Sequence, residues 1–170
     1  MTTFLRPGAL IAVLLLSACG ATQDRLSGSG SEAPSLEAGA LGDPSDPTSV
    51  AYFNASVGDR VLFAVDQHTL TPDGEVVLAS QANWLTQNNE YTAVIEGHAD
   101  EQGTRDYNLA LSARRAASVQ NFLIAQGVAP ARLRTVAFGK ERPIAICSEE
   151  SCYTQNRRAV TKLAAGGAGF

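Results

Sequence analysis

The stretch YTAVIEGHADEQGT at residues 91–104 joins a strand pattern to a polar loop and to the start of a helix. Ala93 and Ile95 lie on one side of the extended chain, which indicates a strand with one buried face. The loop GHADEQGT follows at residues 97–104, and a long helix then runs to Gly127, a residue typical of helix C-termini. The stretch therefore predicts a strand, a loop and a long helix in direct succession.

Shorter patterns on both sides supply the other elements. Thr71 and Pro72 are typical of the first residues of a helix, and its apolar periodicity ends at residues 88–89. Residues 139–155 form a polar connection. The predicted strands lie at residues 61–65, 91–96, 134–138 and 158–163. Four strands and two main helices predict an α/β (α+β) sandwich in which the helices pack on one sheet.

The N-terminal segment has the layout of a secretory signal. Arg6 precedes an apolar run at residues 9–16, and small residues then lead to Cys19 in the sequence LSACG. The run is shorter than the roughly 20 residues that span a bilayer as a helix. A cysteine in this position resembles the lipobox of bacterial lipoproteins, in which the thiol is acylated and the signal, here residues 1–18, is removed. The alternative is an ordinary signal peptide with an incidental Cys19.

The chain contains three cysteines. If Cys19 carries lipid, Cys147 and Cys152 remain, separated by the short sequence SEES. An exported protein reaches an oxidising compartment, which favours a small disulfide ring over two free thiols. We expect such a ring to stabilise by only about 2 kcal/mol and to act locally, by holding one loop in shape. A metal site is disfavoured because no second ligand pair lies nearby.

Residues 20–49 have the composition of a linker, since Gly, Ser, Ala and Pro are abundant and aromatic residues are absent. We therefore predict a disordered tether over residues 19–49, a folded domain at 50–165 and a flexible tail at 166–170. From residue 50 onward, 11 basic residues stand against 12 acidic ones. A domain this close to neutral lacks the basic field with which proteins attract nucleic acids, so we predict no nucleic-acid partner.

The long helix contains one arginine that its neighbours do not explain. The residues predicted to face the core are Leu109, Ala113, Ala116, Val119, Gln120 and Leu123. Arg115 lies at the border of this apolar stripe, whereas Arg114 lies on the outer face. A guanidinium among apolar neighbours needs an anion, or it extends along the helix to reach water. Asp100 in the preceding loop is the candidate, and the two side chains either pair with each other or hold a zwitterion between them.

Several motifs, taken in order, resemble the OmpA-like peptidoglycan-binding domain. They are EGHADEQGT at 96–104, YN at 107–108, LS at 111–112, RRA at 114–116 and NRRAV at 156–160. The resemblance extends over residues 61–163, nearly the whole predicted domain. The lipobox, the linker and GKERP at 139–143 make the chain resemble, in particular, the lipid-anchored, peptidoglycan-associated members of the family. The family fold implies a mixed four-stranded sheet with two main helices packed on it.

The resemblance also implies a ligand. In that family it is the meso-diaminopimelate side chain of the peptidoglycan stem peptide, whose free end is an amino-acid zwitterion. The matching positions imply that Asp100 receives the ammonium group and Arg115 the carboxylate. Further contacts are implied for backbone groups in the loop after the first strand and for a pocket wall near the end of the domain. These residues are Phe63, Ala64, Val65 and Asp66 in the loop, and Arg158 in the wall.

Three of the matching residues are not expected to recognise the ligand through their side chains. Ala64 stands where relatives commonly carry a polar side chain, so only its backbone is expected to contribute. Arg157 and Asn108 are expected to be structural, Asn108 by orienting the binding loop.

The family further implies a location and partners. The residue after Cys19 is Gly20 rather than the aspartate that resembles an inner-membrane retention signal, which favours the periplasmic leaflet of the outer membrane. The expected partners are the peptidoglycan stem peptide, the outer membrane through the lipid anchor, and Tol proteins, especially a TolB-like periplasmic propeller. The expected function is envelope integrity, with constriction of the outer membrane during cell division.

Two other classes of function compete with this interpretation. Glu96, His98 and Asp100 alternate along the chain, as the ligands of a cell-wall metallohydrolase could. Against that class, the chain has only two histidines and no H-E-x-x-H motif, and otherwise His98 shapes the loop by hydrogen bonding. The second class is a structural surface lipoprotein that binds only proteins, against which the charged pair in the predicted site argues. We therefore predict a binding module without catalytic activity, cofactor or metal.

Overall fold

The computed structural model describes residues 41–165. The predicted signal peptide, Cys19, most of the predicted linker and the tail at 166–170 lie outside the described residues. Among the helices of the described range, none is both long enough and apolar enough to cross a membrane.

Within this range the chain forms four α-helices and four β-strands. The helices are α1 (Val50–Tyr52, continued by a π-helical segment at Phe53–Gly58), α2 (Pro72–Gln87), α3 (Arg105–Ala125) and α4 (Glu150–Asn156). The strands are β1 (Arg60–Leu62), β2 (Tyr91–Gly97), β3 (Leu133–Ala137) and β4 (Arg158–Ala165). A 3-10 turn at Pro130–Arg132 leads into β3.

The four strands form one mixed sheet in the order β1-β4-β2-β3. β4 is antiparallel to both of its neighbours, β1 and β2, whereas β2 and β3 are parallel. Gly97, the last residue of β2, lies between Ala159 of β4 and Ala137 of β3. The loop after β2 therefore leaves from the centre of the sheet. This mixed four-stranded sheet with its packed helices confirms the predicted fold class.

The helices α2 and α3 share an apolar core with the sheet. Ala93 and Ile95, the two β2 residues predicted to face inward, are fully buried. The helices contribute Leu78, Ala82 and Leu85 from α2, and Ala116, Val119 and Leu123 from α3. The indole Nε1 of Trp84 donates a hydrogen bond to the carbonyl oxygen of Pro47 at 2.7 Å, which attaches the chain before α1 to the same core.

β2 and α3 approach each other closely at Gly97. A Cβ atom at this position would lie 1.9 Å from the carbonyl oxygen of Ser112, far inside van der Waals contact. Only glycine therefore fits here. The Oγ of Ser112 also accepts a hydrogen bond from the backbone N–H of Gly139 at 2.9 Å, which joins the loop after β3 to the same point. These contacts fix the start of the loop at 98–104 relative to α3.

The helix boundaries agree with the sequence signals. Thr71 caps α2 by accepting a hydrogen bond from the N–H of Gly74 at 3.1 Å, and Pro72 is its first residue. Thr104 caps α3 in the same way, accepting from the N–H of Tyr107 at 3.3 Å. Gly127 follows α3 with a φ of +98°, a conformation that disfavours residues with a Cβ. The predicted start of α2 and the predicted end of α3 are confirmed.

Two predicted segments are wrong in extent. The strand predicted at 61–65 ends at Leu62, because the chain turns at Ala64, whose carbonyl oxygen accepts from the N–H of Gln67 at 3.2 Å. The polar connection predicted at 139–155 contains α4. This helix has no side-chain N-cap and buries only one of its residues, Asn156, so it has no apolar periodicity to detect.

The predicted core face of α3 is wrong in its first half. Leu109 and Ala113 are exposed, and Asn108, Ser112 and Arg115 are buried instead. This part of α3 packs against the end of β2 at Gly97 and against the loops that follow β1, β2 and β3. Buried polar side chains are needed there because loop carbonyl groups require hydrogen-bond donors.

Candidate functional site

A cavity of about 250 Å³ opens between α3 and the loops that follow β1 and β2. Its lining residues are Val65, Asp66, Asp100, Gln102, Gly103, Tyr107, Asn108, Leu111 and Arg115. Four of the residues predicted for the site, Val65, Asp66, Asp100 and Arg115, are therefore brought together. The fold achieves this by placing the ends of a short edge strand and of the central strand β2 against one helix.

Arg115 is fully buried and joins the two loops. Its Nε donates to the carbonyl oxygen of Gln67 at 2.8 Å and its Nη2 to that of Ala64 at 3.2 Å, both in the loop after β1. Its Nη1 donates to the carbonyl oxygen of His98 at 2.9 Å, in the loop after β2. The guanidinium carbon also lies 5.2 Å from the ring centroid of Phe63, within cation–π distance. The side chain therefore neither extends to water nor forms an ion pair with Asp100.

The charge of Arg115 faces the cavity without a carboxylate bonded to it among the described residues. Burial lowers the pKa of Arg115 to about 10, and the nearby negative charge of Asp100 opposes that shift. The group remains protonated at neutral pH. A guanidinium has five N–H donors, and the three carbonyl bonds leave two of them available. Such a buried cation beside a cavity favours an anionic ligand.

Asp100 forms its ion pair with Arg157 instead. Its Oδ2 accepts from Nη1 of Arg157 at 3.1 Å, and its Oδ1 accepts from the backbone N–H of Gln102 at 3.2 Å. Nε of Arg157 donates to the carbonyl oxygen of Phe63 at 3.2 Å. Both side chains are buried, with 7% of Asp100 and 4% of Arg157 exposed. The carboxylate at the cavity is thus held in one orientation by a second arginine.

Asp66 and Tyr107 contact each other across the cavity lining. The hydroxyl of Tyr107 donates a hydrogen bond to Oδ1 of Asp66, and this bond raises the pKa of Tyr107. Asp66 has a φ of +57°, a left-handed conformation that aspartate adopts more readily than most residues with a Cβ. The sequence reasoning gave Tyr107 no role, because neither periodicity nor charge distinguishes an exposed tyrosine in the first turn of a helix.

Asn108 holds the rim of the cavity. Its side chain is almost completely buried, and its Nδ2 donates to the carbonyl oxygen of Gln102 at 2.7 Å. The next residue of the rim, Gly103, has a φ of +90°, which the turn into α3 requires. Asn108 therefore orients the loop, as the resemblance implied.

Arg158 does not line this cavity. It is buried elsewhere, where its Nη2 donates to the carbonyl oxygen of Arg142 at 3.2 Å and its Nη1 to that of Asn156 at 3.4 Å. Phe63 lies beneath Arg115, and Ala64 contributes a carbonyl oxygen rather than a side chain. The loop after β1 thus enters the site mainly through its backbone.

The alternating residues Glu96, His98 and Asp100 do not form a metal site. Within residues 41–165, no three His, Cys, Asp or Glu side chains lie together in an arrangement that could hold a metal ion. The ring of His98 stacks on Phe138 with 5.4 Å between centroids. Neither ring nitrogen has a hydrogen-bond partner among the described residues, and Oε2 of Glu96 lies 3.7 Å from Nε2. His98 therefore forms hydrogen bonds in this loop through its backbone, whose N–H donates to the carbonyl oxygen of Arg158 at 2.9 Å, whereas its ring contributes stacking.

Cys147 and Cys152 form a disulfide, with 5.7 Å between their Cα atoms. The predicted ring is thereby confirmed. It encloses the first residues of α4, which leads directly to Arg157.

Comparison with known proteins gives a consistent result. The sequence model of the OmpA family matches residues 62–157. The peptidoglycan-associated lipoprotein of Mesorhizobium japonicum is 45% identical over 159 residues, which cover 94% of this chain and 91% of that protein. The protein of the same name from Rhizobium meliloti is 44% identical over 161 residues, covering 95% and 87%. A crystal structure of the peptidoglycan-associated lipoprotein from Burkholderia pseudomallei aligns with a TM-score of 0.64 and 33% identity, covering 73% of this chain and 98% of that one.

Proposed function

The chain belongs to the OmpA family and to its peptidoglycan-associated lipoproteins, and from this premise we propose that it binds peptidoglycan without covalent bonds, through the cavity between Asp100 and Arg115. The ligand is the free end of a diaminopimelate side chain in the stem peptide. In this role the protein is a binding module and not an enzyme.

The observation that carries the proposal is the buried charge of Arg115 at the cavity. Its guanidinium is bonded to three neutral carbonyl groups, so a ligand carboxylate would supply the missing negative charge. Two N–H groups remain for that carboxylate, and planar guanidinium groups match carboxylates well. Arg115 therefore acts as the carboxylate receptor.

Asp100 supplies the opposite charge on the same cavity. An ammonium group would share its carboxylate with Arg157, since one carboxylate has about four acceptor positions and only two are occupied here. The cavity is lined by one guanidinium group and by the carboxylates of Asp66 and Asp100, and groups of both signs suit a zwitterion better than a singly charged group. A volume of about 250 Å³ suits the amino-acid end of one side chain rather than a whole peptide.

The remaining features of the proposed function concern the N-terminal part of the chain. We propose that acylated Cys19 anchors the protein in the outer membrane and that the following linker lets the domain reach the cell wall from the periplasmic side. Stable anchoring needs more than one acyl chain, which triacylation would provide. We further propose the Tol proteins as partners in envelope integrity and cell division. The lipobox-like sequence and the names of the relatives support the lipid anchor, whereas the Tol partners follow from the family resemblance.

Calorimetry of the full chain in detergent tests the ligand assignment. The titrants are a stem peptide that contains diaminopimelate and a matched peptide that contains lysine, which keeps the side-chain amine and lacks the adjacent carboxylate. We expect saturable binding of the first alone, because only that peptide offers an anion to Arg115. Equal binding of both peptides, or of neither, would contradict the proposal.

A Cys19→Ala variant tests the anchor separately. The variant should move from the membrane fraction to the soluble periplasmic fraction after cell lysis, because no thiol remains to receive lipid. A Cys147→Ala variant, matched in chemistry, should remain in the membrane fraction. A Cys19→Ala protein that stays in the membrane would rule out lipidation at this residue.

A further inference from the structure

The disulfide joins the ends of the turn that leads into α4. Cys152 is the third residue of α4, and Cys147 lies five residues before it. Glu149, which precedes the helix, makes no side-chain cap. A helix of seven residues is too short to be stable alone, so its order depends on bonds to other parts of the chain.

α4 in turn holds the guanidinium of Arg157. Nη2 donates to Oγ1 of Thr154 at 3.0 Å and also to the carboxylate of Glu150, both on α4. Burial lowers the pKa of Arg157, but the bonds to Glu150 and Asp100 outweigh this effect and raise it overall. Because Arg157 is buried, these partners rather than water set its orientation. The Nη1 of Arg157 forms the ion pair with Asp100.

The same segment contacts the Asp100 loop a second time. Oγ of Ser148 and the hydroxyl of Tyr153 both donate to Oε1 of Glu101, at 3.0 and 2.9 Å. Ser148 lies inside the disulfide ring, and Tyr153 directly follows Cys152. Two successive residues of the cavity loop are therefore held by the segment that the disulfide closes.

Arg115 is independent of this segment. Its three carbonyl partners belong to Ala64, Gln67 and His98, and none of them lies between the cysteines or on α4. The cationic half of the site is therefore held mainly by the bonds of Arg115 on α3, and the anionic half mainly by α4. The two halves are linked where Nε of Arg157 donates to the carbonyl oxygen of Phe63, next to Ala64.

We propose that the Cys147–Cys152 disulfide is a positioning element of the binding site, which fixes Asp100 through α4 and Arg157 and makes recognition of the ligand ammonium group dependent on redox state. The inference rests on the proposed function, since it assigns Asp100 to the ammonium group. A dithiol reductant breaks the S–S bond and delivers two electrons and two protons to form two thiols, while the dithiol itself closes to a cyclic disulfide. α4 then frays, and Asp100 loses its fixed orientation.

The binding test compares the oxidised full chain with the same chain reduced by dithiothreitol, using calorimetry with two peptides. One contains diaminopimelate, and the other contains 2-aminopimelate, which lacks the side-chain amine but keeps the side-chain carboxylate and the amine that forms the peptide bond. We expect reduction to lower the affinity for the diaminopimelate peptide by about fivefold or more, and the affinity for the peptide without the side-chain amine by less than about twofold. An equal loss of affinity for both peptides would indicate a general loss of structure and would overturn the inference. Unchanged affinity for the diaminopimelate peptide would overturn it as well.

A matched variant controls for the other thiol. The double change Cys147→Ser and Cys152→Ser keeps Cys19, so it should bind like the reduced chain and should not respond to dithiothreitol. Reoxidation should restore the affinity of the original chain alone. A response of the double variant to dithiothreitol would assign the effect to Cys19 and overturn the inference.

Amide hydrogen exchange provides a readout that needs no ligand. The N–H of Gln102 donates to Asp100, so its exchange should accelerate on reduction, whereas that of Ile95 in β2 should not change. Unchanged exchange at Gln102 would overturn the inference. If the oxidised chain binds neither peptide, the proposed function fails, and the exchange at Gln102 still decides whether the disulfide controls the Asp100 loop.

Discussion

Asp100 pairs with Arg157, at 3.1 Å between Oδ2 and Nη1, and not with the Arg115 that lines the same cavity. The two buried arginines therefore have different tasks. Arg157 neutralises a protein carboxylate, whereas Arg115 joins two loops through three backbone carbonyl groups. This division explains why only one of the two buried arginines is bonded to Asp100.

Arg115→Lys should impair both binding and stability. Lysine keeps the charge, but its compact ammonium group does not match the planar geometry that serves three carbonyl groups. Each buried carbonyl left without a donor costs about 1–3 kcal/mol, so the free energy of unfolding should fall by at least that amount. Calorimetry and urea denaturation measure the two effects. Arg114→Lys, on the exposed face one position earlier, is the control, and equal behaviour of the two variants would contradict the assignment.

Asp100→Asn should weaken binding of the diaminopimelate peptide by about thirtyfold or more. The change keeps the shape of the side chain and abolishes its charge, so the ligand ammonium would lose a buried counter-ion worth about 2–5 kcal/mol. Sedimentation of the protein with purified cell-wall sacculi, with circular dichroism to verify folding, measures the loss. Asp106→Asn, an exposed position in the first turn of α3, should bind normally. Retained binding by Asp100→Asn would place the ammonium elsewhere.

Arg157→Ala should destabilise the domain by about 3–5 kcal/mol, because it leaves the buried carboxylate of Asp100 without a counter-ion. Thermal and urea unfolding measure the change. The matched control is Arg105→Ala, which breaks the exposed ion pair of Arg105 with Glu141 and should cost no more than about 1 kcal/mol. Similar losses in both variants would show that burial of the Arg157 pair has little energetic effect.

Gly97→Ala should destabilise the domain more than Gly127→Ala. The new Cβ would overlap the backbone of α3 at Ser112, and strain of this kind costs about 1–3 kcal/mol or more. Gly127→Ala provides the comparison, since nothing lies within 4 Å of its Cβ position and only its positive φ opposes the change. Urea denaturation ranks the two variants, and a smaller loss for Gly97→Ala would contradict the close contact between β2 and α3.

The folded domain should lose stability in mild acid because of His98. Burial, reinforced by the positive charges of Arg158 and Arg142, lowers the pKa of His98 from 6.5 to about 4. Below pH 6.5, His98 therefore binds a proton in the unfolded chain but stays neutral in the folded chain until the pH approaches 4. The stability that neutral His98 provides is complete above that value and is lost as the pH falls towards 4.

His98→Phe measures this contribution. Phenylalanine keeps the stacking on Phe138 and does not titrate, so between about pH 7 and pH 5 the variant should lose about 2 kcal/mol less than the original protein. Urea denaturation at the two pH values gives the difference. His68→Gln, at an exposed position, should keep the full acid sensitivity. An unchanged pH profile in His98→Phe would exclude His98 as its source.

The fold was predictable from the sequence where local signals and burial agree. β2, the capped start of α2 and the glycine after α3 all carry such signals, and the structure confirms them. α4 was not predictable, because a short helix held by a disulfide and by Arg157 needs no apolar periodicity. Its existence depends on contacts that are remote in sequence.

The charged residues that line the cavity were predictable from the sequence, but Arg158 was wrongly expected there and the pairing of the charges was not predictable. The sequence identifies Asp100 and Arg115 as an oppositely charged pair beside a strand end. It gives no sign that Arg157 takes the carboxylate, because Arg157 lies 57 residues away and an ordinary side-chain pattern surrounds it. Likewise, the three carbonyl acceptors of Arg115 are backbone groups, which the identity of a residue does not reveal.

The last strand in the chain lies inside the sheet, between β1 and β2. Until residues 158–165 are delivered, β1 has no neighbour and β2 has only β3 beside it. Arg157, the partner of Asp100, directly precedes β4 and becomes available together with it. A chain that emerges N-terminus first, from a ribosome or through a narrow pore, therefore cannot complete its sheet until its final segment is free. The strand order therefore makes completion of the fold depend on the last part of the chain to emerge.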